Sequence, residues 1–562
     1  MAALNVVCVF SIISIYLIFI LERKNEAVIG QEAEPVLSVK NILFLFLTAL
    51  LIISRCIGLG KIPGGFNQDG AMGAVDALAL ANYGTDRFGT WLPAHFTAWG
   101  YGQMSVLLSY LTVPFIKLWG LSPLTARLPM VIVSTAGGIA LYGLVKEMYS
   151  RKAAFVTLLF LIINPWHFMQ SRWALDCNVF PHMFMIGLYF LNHGIRKKKY
   201  MYVSMVFFAL CMYSYGVSFY MVPVFLLTVC ILFLRKRIAA GKQALIMAAV
   251  YFGISFPIYG TMLINFMKWD TLRLPFVTMT YFEGSVRSGD ILFFSEHLIR
   301  QLLSNFSSLV KVVFLQKPDL IWNAMDDFGT MYQCSMPFIL AGLGITIYKV
   351  KKEDHKVRKM SYALLLAYWC SSIFAGLCIN YVNVNRMNII FYSHIIFAGI
   401  AVYELIRKWK KIAPLLLLIY GMQSALFFYS YFTDWADRMK EVFYEDFLEA
   451  VSYAGELGCD YYYITPDTQY EGAANVSEIL TMFAQQIDAE YFQGKTDQFK
   501  GAPISYRDRY HYANPSKEEI NSHRFTAYVV KLDRLGEFSA DEFSLTEFGD
   551  YCVLVPRQYA GQ

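Results

Sequence analysis

The sequence predicts an all-α polytopic membrane protein with about twelve transmembrane helices and a small C-terminal α/β domain. Three observations support this fold class. Hydrophobic residues make up 57% of the 562 residues and charged residues only 16%, whereas soluble domains contain roughly 25% charged residues. Apolar segments long enough to cross a bilayer alternate with basic clusters along most of the chain. From about residue 433 the chain becomes polar and contains short β-branched and aromatic runs.

The predicted transmembrane helices are mostly apolar stretches close to the length of about 20 residues that a bilayer core requires. They are residues 3–21, 41–59, 127–145, 153–166, 179–195, 200–217, 219–234, 243–264, 335–348, 361–379, 389–406 and 412–432. The first resembles a signal peptide in length. It has no basic N-terminal region and no small-residue cleavage site before Glu22, so we interpret it as a membrane anchor.

Clusters of Lys and Arg predict how these helices are oriented. Two apolar segments separate each cluster from the next, and the clusters are Lys146–Lys152, Arg196–Lys199, Arg235–Arg237, Lys349–Lys359 and Arg407–Lys411. A chain returns to the same side after two crossings, and basic loops stay in the cytoplasm. We therefore place all five clusters inside. The net charge of +6 reflects this topology and does not predict nucleic-acid binding, because no basic run is interleaved with stacking aromatics.

The remaining loops then lie on the outer face. A run at 104–119, broken by Pro114, would reverse every basic cluster if it crossed the membrane, so we predict a helix lying along the membrane surface there. The chain divides into a multi-span module over 1–432, with an outer catalytic loop over 60–126, and an extracytoplasmic α/β domain over 433–562. The other outer segments are 167–178, a short one near 218, 265–334 and 380–388.

The polar tail is long enough to bury a core of its own. Strand-like runs occur at 460–465, 527–532 and 551–555, and helical patterns at 436–456 and 475–490. This mixture predicts a small α/β domain on the outer face.

Two acidic motifs lie in the predicted outer loops. The first, Gly64–Gly70, contains Asp69, and Asp76 follows two helical turns later on the same face. The second, Pro165–Asn178, lies between the fourth and fifth spans, and its polar residues include His167, Arg172, Asp176 and Asn178. Because a carboxylate at the lipid boundary is costly unless it is paired, solvated or used, we expect the two motifs to converge on one cleft.

Carboxylates at a membrane surface suit the transfer of a sugar from a lipid carrier. An Asp can accept the proton of an attacking hydroxyl, and an inverting transfer needs one base opposite the leaving group. A departing lipid phosphate needs a cation rather than an acid. Arg172 and Arg386, the latter in the outer segment 380–388, are the cations best placed for that role.

Ordinary structural roles stay open for each of these residues. Asp69 could cap the helix that follows it. Arg172 and Asp176 are four residues apart and could form a helix-surface pair. Arg386 could anchor a helix end among lipid headgroups, and His167, which follows Pro-Trp, is more often an interfacial residue than a base.

A series of short motifs resembles a known family over residues 60–195. The motifs are Phe66–Asp69, Asp76–Ala77, Gly84–Gly89, Leu92–Phe96, Leu111–Phe115, Ala126–Pro129, Asn164–His167 and Ser171–Asn178. In this order they resemble the lipid-carrier-dependent C-type glycosyltransferases of the protein O-mannosyltransferase superfamily, which includes the lipid A aminoarabinose transferase. The resemblance implies a polyprenyl-phosphate sugar donor, an outer-face cleft, inversion at the anomeric carbon and surface-lying helices in the first outer loop.

The resemblance also implies roles for individual residues. The family's catalytic Asp corresponds to Asp69, and its second acidic motif corresponds to Asp176. Many members have Asp-Glu at the first motif, whereas Gly70 follows Asp69 here. We predict Asp69 and Asp176 as catalytic, and the predicted substrate-binding residues are Asp76, Arg172, Arg386, His167 and Asn178.

The predicted partners are a polyprenyl-phosphate sugar donor, a glycan, protein or lipid acceptor, and membrane lipids. No three or four ligands stand at metal spacing in the outer segments, and a divalent metal stays open. Two other functions also stay open. A flippase for a lipid-linked sugar would place ionisable residues near the membrane midplane, where few occur. A non-catalytic cell-envelope assembly protein is kept open by the missing Glu after Asp69.

Overall fold

The structure of the chain is a computed structural model that describes residues 38–98, 101–286, 298–317, 319–470, 472–501, 503–522 and 524–559. The described chain is mostly helical up to Phe432 and mixed α/β beyond it. The predicted fold class is thus confirmed. The predicted first span, 3–21, lies outside the described residues.

Each of the eleven remaining predicted spans corresponds to a helix. In chain order the helices up to Phe432 are α1 (Val39–Cys56), α2 (Gln68–Tyr83), α3 (Leu107–Trp119), α4 (Pro123–Met148), α5 (Arg151–Ile163), α6 (Pro165–Gln170), α7 (Asp176–Gly194), α8 (Lys199–Cys211), α9 (Ser218–Arg235), α10 (Gly241–Met267), α11 (Leu298–Leu309), α12 (Met336–Lys352), α13 (Lys356–Leu377), α14 (Val384–Met387), α15 (Phe391–Lys408) and α16 (Ala413–Phe432). Eight helical stretches of the described residues are long and apolar enough to cross a membrane, and they contain α1, α4, α9, α10, α12, α13, α15 and α16. The count of about twelve spans stays a prediction, because α5 and α8 have only 13 residues each.

The five basic clusters lie together at one end of the helix bundle. Direct contacts join them: Arg196 to Glu147 (2.8 Å), Lys198 to the carbonyl of Ile238, Arg407 to Glu404 (2.6 Å), Tyr149 to the same Glu404, and Lys349 over the ring of Tyr149 (5.8 Å). The grouping matches the alternation of basic loops along the sequence. Which end faces the cytoplasm stays a prediction.

The loop between α1 and α4 folds into two helices and a small sheet. Strands β1 (Phe96–Ala98) and β2 (Tyr101–Met104) pair with each other. A distant segment contributes the hairpin β3 (Leu272–Leu274) and β4 (Val277–Met279), and β5 (Ser285–Val286), which pairs with β2. The predicted helix at 104–119 is confirmed as α3, which continues through Pro114. Its position along a membrane surface stays a prediction.

The part beyond Phe432, the C-terminal α/β region (434–559), contains three main helices and a five-stranded sheet. The helices are α17 (Asp434–Val442), α18 (Glu445–Glu456) and α19 (Ala474–Gln485), and the strands are β6 (Tyr461–Ile464), β7 (Tyr510–His511), β8 (Thr526–Lys531), β9 (Phe543–Phe548) and β10 (Tyr551–Pro556). The sheet order is β7-β6-β8-β10-β9, with β6 parallel to both of its neighbours and β10 antiparallel to both of its own. The three predicted strands are present as β6, β8 and β10.

The helical pattern predicted over 436–456 is present but is divided between two helices. Two helices, α17 and α18, occupy these residues, and they are separated at Phe443 and Tyr444. The backbone of Tyr444 is left-handed, with φ of 57°, a conformation that a continuing α-helix cannot contain.

One hydrophobic core joins the loop between α1 and α4 to the C-terminal α/β region. Phe66 stacks on Phe483 of α19 with ring centroids 4.5 Å apart, and both rings are almost completely buried. At the far end of α2, the hydroxyl of Tyr83 donates to Asp488 at 2.7 Å. The helix that contains Asp69 is therefore packed directly on this region. The predicted boundary at 432/433 stays a prediction.

Candidate active site

Asp69 lies in the first turn of α2. The helix is capped by Asn67, whose side-chain oxygen accepts the N–H of Asp69 at 3.0 Å. The alternative in which Asp69 itself caps the helix is therefore wrong. Asp69 is half-buried, and it lies at the positive end of the helix dipole.

Asp176 has the same kind of position in a second helix. It is the first residue of α7, it is half-buried, and its Oδ1 accepts the N–H of Cys177 at 2.7 Å. Both predicted catalytic carboxylates thus lie at helix N-termini, where negative charge is stabilised.

The structure brings the two carboxylates together on the wall of one cavity. Residues of α2, α3, α4 and the segment before α7 complete the lining, and they include Gly70, Gly73, Ser105, Leu108, Ser109, Thr112, Ala126 and Ala174. The open volume is about 20 Å³, room for about one water molecule. The two carboxylates are thus close enough to share one small space.

Gly70 explains why the two acidic motifs can approach each other. A Cβ atom at this position would lie 2.6 Å from the carbonyl oxygen of Ala174 and 3.1 Å from the ring of Phe66. The second motif therefore occupies the space that a side chain after Asp69 would need. The departure from Asp-Glu is a packing requirement of this chain.

Asp76 is fully buried and forms an ion pair with Arg87. The Arg87 guanidinium lies 2.5 Å from Asp76 Oδ2, and the Arg87 backbone N–H donates to Oδ1 at 3.0 Å. Burial raises the pKa of Asp76 to about 7, and the positive charge of Arg87 opposes this shift. In the structure this pair fastens α2 to the segment before β1, and the predicted substrate contact of Asp76 stays a prediction.

Arg172 is also a structural residue. Its side chain is completely buried, and its nitrogens donate to the carbonyls of Arg55 at 2.8 Å and Ile62 at 3.0 Å and to the Tyr431 hydroxyl at 3.1 Å. Arg127 likewise donates to the carbonyls of Leu59, Pro63 and Gly65. These two arginines hold the backbone between α1 and Asp69. Because the Arg172 side chain is fully buried there, this arrangement does not support its predicted contact with a lipid phosphate, which stays a prediction.

His167 belongs to a buried network rather than to the cavity. It is 0% exposed, and its ring nitrogens contact Arg55 at 3.1 Å and the Tyr392 hydroxyl at 3.4 Å. The structure thus gives the His167 ring a packing role, and the predicted substrate contact stays a prediction. Asn178 is 1% exposed and accepts a weak hydrogen bond from Cys177 Sγ, so it also faces the interior of the bundle and not an open site.

Arg386 lies near the beginning of α7 and remains accessible. Its guanidinium stacks on the exposed ring of Tyr381 at 4.0 Å. Two residues further on, Asn388 donates to the carbonyl of Cys177 at 2.8 Å, which ties this loop to the residue after Asp176. Arg386 is thus a partly exposed cation on a loop that contacts the second acidic motif.

Sequence reasoning missed the residues that position the site. Arg87 forms a buried ion pair with Asp76, and Arg127 donates hydrogen bonds to backbone carbonyls before Asp69. Phe443 contacts both the segment before Asp69 and the segment before Asp176. The only signal in the sequence was that Arg127 and Arg87 belong to the family-like motifs. For a metal, the described residues contain no group of three or more His, Cys, Asp or Glu side chains that could hold an ion.

Comparison with known proteins adds three findings. Residues 104–259 match the family model described as dolichyl-phosphate-mannose-protein mannosyltransferase. None of the curated proteins matches the sequence significantly. Solved structures with the same fold include ArnT from Cupriavidus metallidurans in the apo state, at 11% identity and a TM-score of 0.54, covering 93% of this chain and 100% of that one.

Two further structures share the fold. One is the same ArnT bound to undecaprenyl phosphate, at 11% identity and a TM-score of 0.52, covering 92% of this chain and 99% of that one. The other is the Archaeoglobus fulgidus oligosaccharyltransferase in complex with Zn and sulfate, at 13% identity and a TM-score of 0.51, covering 88% of this chain and 68% of that one. The family-model match over residues 104–259 and the shared fold agree with the predicted resemblance to the lipid-carrier-dependent C-type glycosyltransferases.

Proposed function

We propose that this protein transfers a sugar from a polyprenyl-phosphate donor to an acceptor hydroxyl at the outer face of the membrane, with inversion. The observation that supports this most directly is the single cavity lined by Asp69 and Asp176. Two half-buried carboxylates at helix N-termini, next to a membrane-spanning bundle, suit deprotonation of a hydroxyl far better than they suit passage of a lipid.

In the proposed reaction Asp69 is the base. Its carboxylate accepts the proton of the acceptor hydroxyl as that oxygen attacks the anomeric carbon. The bond between this carbon and the phosphate oxygen breaks, and polyprenyl phosphate leaves with the bonding electron pair. Asp176 orients the hydroxyl groups, and the proton on Asp69 then passes to solvent.

An apolar cavity beside the acidic one offers a place for the lipid carrier. It has a volume of about 390 Å³ and is lined by Val106, Leu107, Tyr110, Tyr213, Phe256 and Phe276, among others. Residues 105 and 108 face the acidic cavity and residues 106 and 107 the apolar one, so the beginning of α3 separates the two. If the first isoprene units of the carrier lie in the apolar cavity, the phosphate and sugar can pass around the first turn of α3 and reach the carboxylates.

The phosphate requires a cation, and Arg386 is the candidate that remains after Arg172. Its loop is bonded to Cys177, next to Asp176, and its guanidinium is partly exposed. A fixed positive charge there stabilises the negative charge that grows on the departing phosphate.

The test is a comparison of cell-envelope glycans. Cells that lack the protein are complemented with the wild-type chain, with Asp69→Asn or with Asp541→Asn, which makes the same change at an exposed carboxylate. We expect mass spectrometry to detect one sugar substituent that is absent without the protein, restored by the wild-type chain and by Asp541→Asn, and not restored by Asp69→Asn at equal protein level.

Proteoliposomes separate an enzyme from a flippase. A polyprenyl-phosphate sugar supplied only in the leaflet that faces the acidic cavity is consumed by a transferase, whereas a flippase only moves it to the other leaflet.

In the complementation experiment, full restoration of the glycan by Asp69→Asn would remove Asp69 from the reaction. An unchanged envelope in cells without the protein would contradict the transferase assignment itself.

A further inference from the structure

We propose that Phe443, at the corner between α17 and α18, is the positioning residue that sets the separation of Asp69 and Asp176. This inference rests on the proposed function and assigns a catalytic task to the C-terminal α/β region. The residue does not line the acidic cavity, and it acts through the two segments that present the carboxylates.

The backbone of Phe443 holds the segment before Asp69. The Phe443 carbonyl oxygen accepts the N–H of Phe66 at 2.7 Å. Gly65 has φ of +64°, and a Cβ atom there would lie 2.1 Å from the same carbonyl oxygen. At Gly64 a Cβ atom would lie 2.6 Å from the carboxylate of Glu445. The two glycines, five and four residues before the proposed base, therefore let the chain lie directly on the corner.

The side chain of Phe443 holds the segment before Asp176. Its ring packs on the indole of Trp173, with centroids 5.6 Å apart. Trp173 is followed by Ala174, whose carbonyl oxygen fills the space beside Gly70. One residue thus contacts both acidic motifs, the first through its main chain and the second through its ring.

The corner itself is buried and hydrogen-bonded on both sides. Phe443 is 1% exposed and Tyr444 is 0% exposed. The N–H of Phe443 donates to Met439 at 2.8 Å, and the N–H of Leu448 donates to Tyr444 at 2.9 Å, so the corner is bonded to the helix on each side. Because α17 follows the membrane helix α16 directly, the corner is fixed to the bundle as well as to the sheet.

The spacing of the carboxylates matters because the cavity between them holds about one water molecule. A displacement of about 1 Å at a catalytic group can lower a rate by on the order of 100-fold. Deletion of the Phe443 ring leaves an unfilled space beside Trp173 and frees the second motif to shift relative to the first.

The variant Phe443→Ala tests this inference, with Phe538→Ala as the matched control. Phe538 is 8% exposed and packs in a separate core cluster on the sheet, so the control removes the same buried ring away from the corner. We expect Phe443→Ala to lower kcat about 10-fold or more while KM for the lipid-linked donor changes less than about twofold. Phe538→Ala keeps kcat, and Phe443→Leu, which refills most of the volume, recovers most of the lost rate.

Amide hydrogen exchange of the intact chain supplies a readout that does not depend on transfer. Phe443→Ala is expected to speed exchange in both 60–76 and 170–180, and Phe538→Ala in neither. Equal losses of kcat in the two alanine variants, or unchanged exchange in both acidic segments, would overturn the inference. A wild-type chain without transferase activity would instead contradict the proposed function, and the exchange result would still decide the positional claim.

Discussion

At the scale of single residues, Gly70 decides how closely the two acidic motifs approach. The space for its Cβ atom is occupied by the carbonyl oxygen of Ala174, 2.6 Å away, and a backbone atom cannot move aside as the end of a flexible side chain can. The glycine is helical, so its role is close approach and not an unusual backbone conformation.

We predict that Gly70→Ala lowers transfer about 10-fold or more, because the added methyl group separates Asp69 from Asp176. Gly70→Glu, which restores the Asp-Glu pair of many relatives, is expected to be worse and not better. The measurement is kcat of the purified chain with a lipid-linked donor. Gly344→Ala, where a Cβ atom meets no neighbour within 4 Å, is the control. If Gly70→Glu were as active as the wild-type chain or more active, this position would not need a glycine for close approach, and a carboxylate here would support transfer.

The positions of the candidate catalytic residues could be predicted from the sequence, but the roles of their neighbours could not. Asp69 and Asp176 follow membrane helices at the same predicted face, and that information is present in the order of spans and basic clusters. Arg172 has the same charge and the same motif position as a phosphate ligand would have. Its actual partners are carbonyl groups of Arg55 and Ile62, more than a hundred positions away in the sequence, and no local pattern encodes such contacts.

At the scale of elements, the Asp76–Arg87 pair fastens α2 to the segment that leads into β1. Arg87 also donates from its second guanidinium nitrogen to the carbonyl of Thr97 at 2.9 Å, and its own carbonyl accepts Gln493 from the C-terminal region at 3.0 Å. The Asp76 side chain is 0% exposed and the Arg87 side chain is 8% exposed. Three parts of the structure thus meet at one buried ion pair.

We predict that Asp76→Asn destabilises the protein by about 3–5 kcal/mol, because it leaves the Arg87 charge buried without its counter-charge. The double variant Asp76→Leu with Arg87→Met is expected to recover much of this loss, because it removes both charges. Thermal unfolding of the detergent-solubilised chain measures both effects. A double variant as unstable as Asp76→Asn would show that the two charges do not act as a pair. Control measurements use Asp437→Asn, which breaks an exposed pair with Lys440 and is expected to cost less than about 1 kcal/mol.

The type of a helix or strand could be predicted where its hydrophobic pattern was long and periodic, but the residues at which it ends could not. Each described span matched a helix because about twenty apolar residues have few other solutions in a bilayer. The break between α17 and α18 was missed because Val442, Phe443 and Tyr444 continue an amphipathic helical pattern. The left-handed turn at Tyr444 lies next to Phe443, whose carbonyl accepts the N–H of Phe66 and whose ring packs on Trp173, and such contacts between distant residues are tertiary information.

At the scale of the whole molecule, two separated ends organise the fold. One end gathers the basic clusters through contacts such as Arg196 with Glu147 and Arg407 with Glu404. The other gathers the acidic cavity, the Arg386 loop and the C-terminal α/β region. The charge pattern predicted this division because basic loops recur after every second span. It did not predict that the C-terminal region shares a core with α2, because the apolar residues of one element do not specify which other element packs on them.

The division makes the orientation of the proposed active site testable by cysteine labelling. Positions Arg273 and Leu545 are exposed at the end with the acidic cavity, and Lys351 and Lys410 are exposed at the basic end. We predict that a membrane-impermeant maleimide labels Arg273→Cys and Leu545→Cys in intact cells, whereas Lys351→Cys and Lys410→Cys react only after permeabilisation, because basic loops are retained in the cytoplasm. Labelling of the wild-type chain measures the background from native cysteines. If Arg273→Cys and Leu545→Cys are protected until the membrane is opened, Asp69 and Asp176 face the cytosol, and a donor presented at the outer surface cannot reach them.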